Sequence, residues 1–102
     1  MNGAELIAKE RQRQISGEGW SPAHDAIHTE GQMAAAAMCY TEQVVDDEIR
    51  AVGGSGEFVQ QWWPWDEEWW KPSLDPIRNL VKAGALIAAE IDRLQTGSGG
   101  EE

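Results

Sequence analysis

The last third of the chain carries its clearest periodic pattern of apolar residues. Between Asp75 and Leu94 the apolar side chains recur at alternating steps of three and four, which is the spacing of an amphipathic helix. Asp75-Pro76 precedes the pattern as a cap and a first-turn proline. We expect the resulting apolar stripe to face the core; it comprises Ile77, Leu80, Gly84, Ile87, Ile91 and Leu94. Because a glycine inside a helix costs about 1 kcal/mol relative to alanine, Gly84 predicts a close crossing with another helix.

A second helix is predicted at the N-terminus. Asn2 and Glu5 have the spacing of a capping box, in which each side chain bonds to the backbone amide of the other. Helix-forming residues follow at 6–15, and Gly17 and Gly19 are expected to end the helix. Its apolar residues are sparse, so we expect it to lie on the surface with a narrow buried stripe.

A third, alanine-rich helix is predicted in the middle of the chain. The residues at 29–32 have the pattern of another capping box, with Thr29 as the cap of a helix over 33–40. Alanines on one face allow another helix to approach closely, and the shared face comprises Met33, Ala36, Ala37 and Tyr40. The pattern leaves open whether this helix continues to Ala51, ahead of the glycines at 53–56.

Five of the six tryptophans lie between positions 62 and 70. An indole ring buries a large area and its N–H needs a partner once it leaves water. A chain of 102 residues has little interior, so we expect most rings to plug the core and one or two to remain for binding. Asp66 is predicted to cap a single turn over 67–70. Trp69 and Trp70, beside Lys71, are the best candidates for a contact surface.

Together these elements predict a mainly α protein. We expect a small single-domain helical bundle over 1–95 with a Trp/Pro-rich connector, followed by a disordered Gly/Ser/Glu tail at 96–102. No apolar run has the length of a membrane span, which predicts a soluble, cytoplasmic protein. Cys39 is the single cysteine, so an internal disulfide is excluded, and a buried, inert thiol is expected.

The charge is strongly acidic. Eighteen acidic and eight basic side chains give a formal net charge of −10. Such a surface repels nucleic acid and anionic membranes and attracts a basic protein partner, although acidity also simply favours solubility. The candidate acidic contacts are Asp46, Asp47, Glu48, Glu67 and Glu68, with Glu42 beside them.

The sequence contains no convincing catalytic, metal or cofactor motif, so we expect a protein that is not an enzyme. His24 and His28 have an H-x3-H spacing around Asp25, but they follow a proline in a turn-rich loop and lack further ligands. A hydrogen-bonded loop is therefore favoured there over a metal site. Aromatic faces near cations are typical of a site for a flat anionic ligand, and a nucleotide groove would use Trp20, Trp69, Trp70, Arg11 and Lys71.

Two blocks of the chain resemble small proteins of bacteriophages and prophages. The first block, within 10–25, comprises the segments ERQRQI and GWSPAHD. The second block, within 65–91, comprises the segments WDEEWWKP and LVKAGALIAAEI. The resemblance implies a phage origin, and it supplies no biochemical role.

The first block is also similar, more distantly, to the ryanodine-receptor-type repeat domain. Trp20, Asp25 and His28 match its helix end and the following acidic turn with histidine. The chain departs from that pattern at Ala26, which stands in place of a second acidic residue, and at 21–22, which replaces the aromatic-glycine turn. Bacterial relatives of this domain occur near nucleotide-signalling defence systems, which implies nucleotide binding.

These observations support three hypotheses. The leading one is a non-enzymatic, anti-CRISPR-like phage inhibitor of a bacterial defence system, which binds a basic, nucleic-acid-binding host protein in the host cytoplasm. The alternative is a sponge that sequesters a nucleotide immune signal. The third is a structural or housekeeping phage protein whose tryptophans hold a homo-oligomer together.

Overall fold

The computed structural model describes residues 1–18, 31–53 and 62–97, and this part of the chain is mainly helical. Helix α1 spans Gly3–Glu18, α2 spans Gln32–Ala51 and α3 spans Pro76–Gly97, with a 3-10 turn at Glu67–Trp69 before α3. Helix α3 packs against both α1 and α2. No strand occurs in these three ranges. The predicted mainly α, small helical bundle with a Trp/Pro-rich connector is confirmed.

The start of α1 is the predicted capping box. The Asn2 backbone N–H donates to Glu5 Oε1 at 3.1 Å, and the Glu5 N–H donates to Asn2 Oδ1 at 2.9 Å. The helix continues through Gly17 to Glu18, beyond its predicted end.

Helix α2 begins at Gln32, one residue before the predicted stretch 33–40, and has the longer of the two extents that the sequence left open. The prediction that Thr29 caps this helix is wrong: its N-cap is Gly31, in the left-handed region at φ 78, and Thr29 itself lies outside the described residues. Glycine adopts this conformation at no steric cost, so the chain turns into the helix there. The helix then runs on to Ala51. The predicted buried face is confirmed for Met33, Ala36, Ala37 and Tyr40.

Helix α3 begins with the predicted cap and first-turn proline. The Ile77 N–H donates to Asp75 Oδ1 at 3.0 Å, and Pro76 is the first helical residue. The helix reaches Gly97, two residues past the expected domain end, and 98–102 lie outside the described ranges.

The expectation that the apolar stripe of α3 faces the core is wrong. Its five large residues are between 46% and 60% exposed. The core side of α3 instead carries mainly small residues, which allow α2 and α1 to approach closely; these are Val81, Ala83, Ala85, Leu86 and Ala89. Periodicity identifies the most apolar side of a helix, but the neighbouring helices decide which side is buried. Gly84 does mark the predicted close crossing, since it lies against Ile7 of α1.

A buried ionic contact joins α1 to α3. Glu10 is 3% exposed, and its Oε1 accepts hydrogen bonds from Arg78 Nη1 and Arg13 Nε, both at 2.7 Å. Its Oε2 accepts from Arg13 Nη2 at 2.8 Å and from Gln14 Nε2 at 3.1 Å. Burial alone would raise the pKa of Glu10, but the bonds to Arg13 and Arg78 lower this pKa to about 2. Glu10 is therefore a carboxylate that connects the two helices over a wide pH range.

Candidate functional site

The connector before α3 is held by polar contacts with that helix. Asn79 is fully buried; its Oδ1 accepts the Ser73 N–H at 2.7 Å and its Nδ2 donates to the Ser73 carbonyl at 2.8 Å. Lys82 Nζ donates to the Lys71 carbonyl at 2.8 Å. These bonds attach 71–73 to the first turns of α3, so the tryptophans just before them have a defined position.

Three of the connector's tryptophans pack onto the core around Tyr40. The ring centroid of Trp70 lies 4.8 Å from that of Tyr40, and Trp63 meets Tyr40 edge-on at 5.8 Å. Trp63 also contacts Trp65 at 5.4 Å and Trp70 at 4.9 Å. Its indole N–H donates to the Asp66 carbonyl at 3.1 Å, which satisfies the donor. The cluster agrees with the expectation that most of these rings plug the core.

Two rings remain on the surface. Trp62 is 63% exposed and Trp69 is 53% exposed. The Lys71 ammonium lies 5.3 Å from the centre of the Trp69 ring, within cation–π range. Of the pair named from the sequence, Trp69 is thus an open surface ring, whereas Trp70 is half-buried against Tyr40.

The exposed Trp69 shares its turn with two exposed carboxylates. The 3-10 turn consists of Glu67, Glu68 and Trp69, with Asp66 as its N-cap residue. All four are exposed. The predicted turn is present, but the Asp66 side chain makes no capping hydrogen bond. This surface, which we call the Trp69 turn, presents an aromatic ring beside three acidic residues.

The acidic residues of α2 divide between surface and interior. Asp47 and Glu48 are exposed, and Glu42 is partly buried. Asp46 does not lie on the expected acidic surface: it is 6% exposed and pairs with Arg50 at 3.2 Å. It follows the buried Cys39 by two helical turns and shares that side of α2.

The residues of the predicted nucleotide groove are only partly brought together. Arg11 lies 3.8 Å from Asp92, which is in the second half of α3. The Lys71 carbonyl instead accepts a hydrogen bond from Lys82, which is in the first half of that helix. Ten residues of helix separate these two positions by about 15 Å. Trp20, which also belongs to the predicted groove, lies outside the described residues. His24, Asp25 and His28 lie outside them as well. Within the described ranges, no three His, Cys, Asp or Glu residues are grouped as a metal site.

Cys39 is buried and carries no disulfide, as expected. Burial, together with the nearby Glu42 carboxylate, raises the pKa of its thiol above the usual value. A thiol held in its protonated form is a poor nucleophile.

An open apolar groove of about 430 Å³ lies between α2 and α3. Ile87, from the exposed stripe of α3, forms one side of it. The α2 side consists of Ala34, Ala37, Met38, Thr41 and Glu42.

Sequence reasoning missed two features of this region. Trp62, the most exposed of the described tryptophans, was not distinguished from its neighbours, since adjacent rings in an irregular segment carry no periodic signal. Asn79 was also missed, although its polar side chain on the buried side of a helix is the kind of exception that signals a hydrogen-bonded clamp.

Comparisons with known proteins add no information about this site. The chain matches no family model, and neither a curated protein nor a solved structure matches it. None of the described helices combines the length and the apolar character needed to cross a membrane.

Proposed function

We propose that this chain is a non-enzymatic, phage-encoded inhibitor of a bacterial defence system that binds a basic, nucleic-acid-binding host protein through its Trp69 turn. One observation carries the proposal. Trp69 is half-exposed on a turn anchored to the bundle, and the residues before it are exposed carboxylates.

The chemistry of this turn suits a partner rich in arginine and lysine. Exposed tryptophans are frequent hot spots of protein interfaces, and a guanidinium group can stack on an indole while it pairs with a carboxylate. The net charge of −10 would steer such a partner toward the chain. Nucleic-acid channels supply basic groups of this kind in quantity.

The phage origin in this proposal rests on the resemblance of residues 10–25 and 65–91 to phage and prophage proteins. An acidic protein from a phage that occupies the nucleic-acid channel of a host nuclease would act in the host cytoplasm, in the manner of an anti-CRISPR protein.

The experiment measures inhibition of target cleavage by a panel of basic defence nucleases, including CRISPR effectors. We expect at least one nuclease to be inhibited, with affinity that falls as salt rises. Trp69→Ala and the pair Glu67→Gln/Glu68→Gln should each weaken inhibition about tenfold or more, corresponding to about 1.4 kcal/mol.

The matched comparison is Asp47→Asn/Glu48→Gln, which removes the same charge from two exposed positions of α2 that were candidate contacts from the sequence but do not belong to the Trp69 turn. It should retain most of the inhibition, because only long-range steering is reduced. The proposal is wrong if no nuclease is inhibited, or if the Trp69-turn variants inhibit as strongly as this α2 variant.

One observation favours a second function, sequestration of a nucleotide. The Lys71 ammonium lies 5.3 Å from the centre of the exposed Trp69 ring. A cation beside an open aromatic ring suits a flat anionic ligand, although the net charge opposes it.

A panel of cyclic and linear nucleotides tests the sponge hypothesis. A ligand should quench tryptophan fluorescence and raise Tm by mass action, and Lys71→Gln should weaken both effects. Absence of any shift across the panel would exclude this function and would leave the nuclease experiment unaffected.

A further inference from the structure

The exposed side of α3 is apolar along most of the helix. Its large residues, between 46% and 60% exposed, are Ile77, Leu80, Ile87, Ile91 and Leu94. We call this row the α3 apolar face. Gly84 has the same spacing but is covered by Ile7 of α1, so the face is divided into Ile77 with Leu80 and a longer part from Ile87 to Leu94. The charged residues of α3 lie on its other sides, where Arg78 bonds to Glu10 and Arg93 bonds to the buried Glu90. A folded chain that exposes its most apolar helical face presents an interaction surface.

The spacing of the α3 apolar face is that of a helix–helix seam. The five residues lie at a and d positions of consecutive heptads, with a step of three residues from Ile77 to Leu80 and steps of four and three residues from Ile87 to Leu94. This period of 3.5 keeps the row straight against a partner helix. The longer uninterrupted part of the row, from Ile87 to Leu94, extends over about 10 Å of helix, or about two turns.

The α3 apolar face continues into the groove beside α2. Ile87 belongs to both, and Met38 on the other side of the groove is 48% exposed. Val45, two turns further along α2, is 41% exposed. Together these side chains expose on the order of 600 Å² per chain, at the upper end of the largest apolar patches of ordinary monomers.

We propose that the α3 apolar face is the interface of a homodimer, in which a second copy of this chain packs the same face against it. A two-fold dimer requires a self-complementary surface, and a row at a and d positions is matched by a second copy of itself. Complete coverage of these side chains in both copies, with Met38 and Val45 of α2 included, would bury about 1,200 Å² of apolar surface, which reaches the range of specific interfaces.

Charge favours a second copy over a basic partner on this face. Two chains of net charge −10 repel each other wherever their carboxylates meet. The five residues of the α3 apolar face carry no charge, and Glu42 is the one carboxylate among the residues that line the adjoining groove. Dimerisation here keeps the acidic surfaces apart, whereas a basic protein would find no carboxylate on the face to pair with.

The proposed dimer is independent of the Trp69 turn. The turn precedes α3 and belongs to the connector, and neither Trp62 nor Trp69 is part of the face. A dimer therefore presents two copies of the turn to its partners.

Sedimentation equilibrium over micromolar concentrations tests the dimer. We expect a species of twice the 11.3 kDa mass of one chain. Ile91→Glu should weaken the dimer about 100-fold or more, since it places a charge without a partner in the middle of the part of the seam from Ile87 to Leu94. Ile91→Gln, which adds no charge, should weaken it less but in the same direction.

Gln12→Glu is the matched control, because it adds the same charge at an exposed position of α1 and should leave the dimer intact. Trp69→Ala should also leave it intact. Ile91 is already 50% exposed in the single chain, so circular dichroism should report unchanged helicity for both Ile91 variants.

A wild-type chain that sediments at the mass of one copy at all concentrations would overturn the proposal. So would a dimer that resists both Ile91 substitutions, or a defined oligomer larger than two copies.

Discussion

Ile7 of α1 occupies the space that a side chain at position 84 of α3 would need. A Cβ built on Gly84 would lie 2.5 Å from Ile7 Cδ1 and 2.8 Å from Ile7 Cγ1, closer than carbon atoms approach without displacement. The absent side chain of Gly84 thus sets the distance between the two helices. The energetic cost of a glycine inside a helix is offset by this packing.

The first prediction concerns this contact. Gly84→Ala should lower the free energy of unfolding by about 1 kcal/mol, because overpacking against Ile7 exceeds the gain in helix propensity. In an Ile7→Ala background the same substitution should instead raise it by up to about 1 kcal/mol. Urea unfolding at one protein concentration measures the cycle. Equal effects of Gly84→Ala in both backgrounds would show that the contact does not limit the packing.

The second prediction concerns Glu10 and pH. The pKa of Glu10 is about 2 in the folded chain and 4.5 for the free group, so its carboxylate stabilises the folded state above pH 4.5. This contribution, about 3 kcal/mol from the difference in pKa, should be lost as the pH falls from about 5 to about 2. Glu10→Gln should be less stable at pH 7 and should unfold with a flatter pH dependence over that window.

Urea midpoints across the pH range test the role of Glu10. Glu68→Gln, at an exposed carboxylate, is the control and should follow the wild-type pH profile. If Glu10→Gln followed the wild-type profile as well, the buried contact with Arg78 and Arg13 would not contribute to acid stability.

The third prediction concerns Asn79, which clamps the connector through the Ser73 backbone. Asn79→Asp retains an acceptor for the Ser73 N–H but places a carboxylate against the Ser73 carbonyl. We expect the free energy of unfolding to fall by about 2 kcal/mol, which is the cost of leaving buried polar groups unpaired. Ser73→Ala keeps the backbone bonds to Asn79 and should cost less. Urea unfolding compares the two, and near-ultraviolet circular dichroism should change only for the Asn79 variant, whose connector is released. Equal losses would contradict the clamp.

The fourth prediction separates packed tryptophans from surface tryptophans. Trp70→Ala removes a ring that packs on Tyr40 and Trp63, and it should cost about 3 kcal/mol or more. Trp62→Ala removes a ring that is 63% exposed and should change stability by less than about 0.5 kcal/mol. Thermal unfolding measures both. Similar losses for the two variants would mean that the division between cluster and surface is wrong.

Part of the candidate site could be predicted from residue chemistry. The expectation that most connector rings would pack and one or two would remain exposed agrees with the cluster around Tyr40 and with the exposed Trp62 and Trp69. The sequence does not indicate which of the rings are packed and which are exposed. Neighbouring tryptophans in a segment without a regular period differ only in the direction that the local chain turns give them. Two sequence features of Asp46 conflict. Its spacing of two helical turns from Cys39 indicates the buried side of α2, whereas its position in a run of acidic residues indicates the surface.

The local elements of this protein follow from short-range sequence signals. The capping box of Asn2 and Glu5 and the Asp75-Pro76 start of α3 depend on hydrogen bonds and backbone preferences within three residues, so neighbours in the chain suffice to specify them. The buried side of each helix, in contrast, depends on how the helices pack together. Ile77, Leu80, Ile87, Ile91 and Leu94 form the most apolar side of α3, yet α1 and α2 pack on its alanine-rich sides, where small side chains let the backbones approach. Burial depends on the shape and position of distant segments, and a periodic pattern contains no information about them.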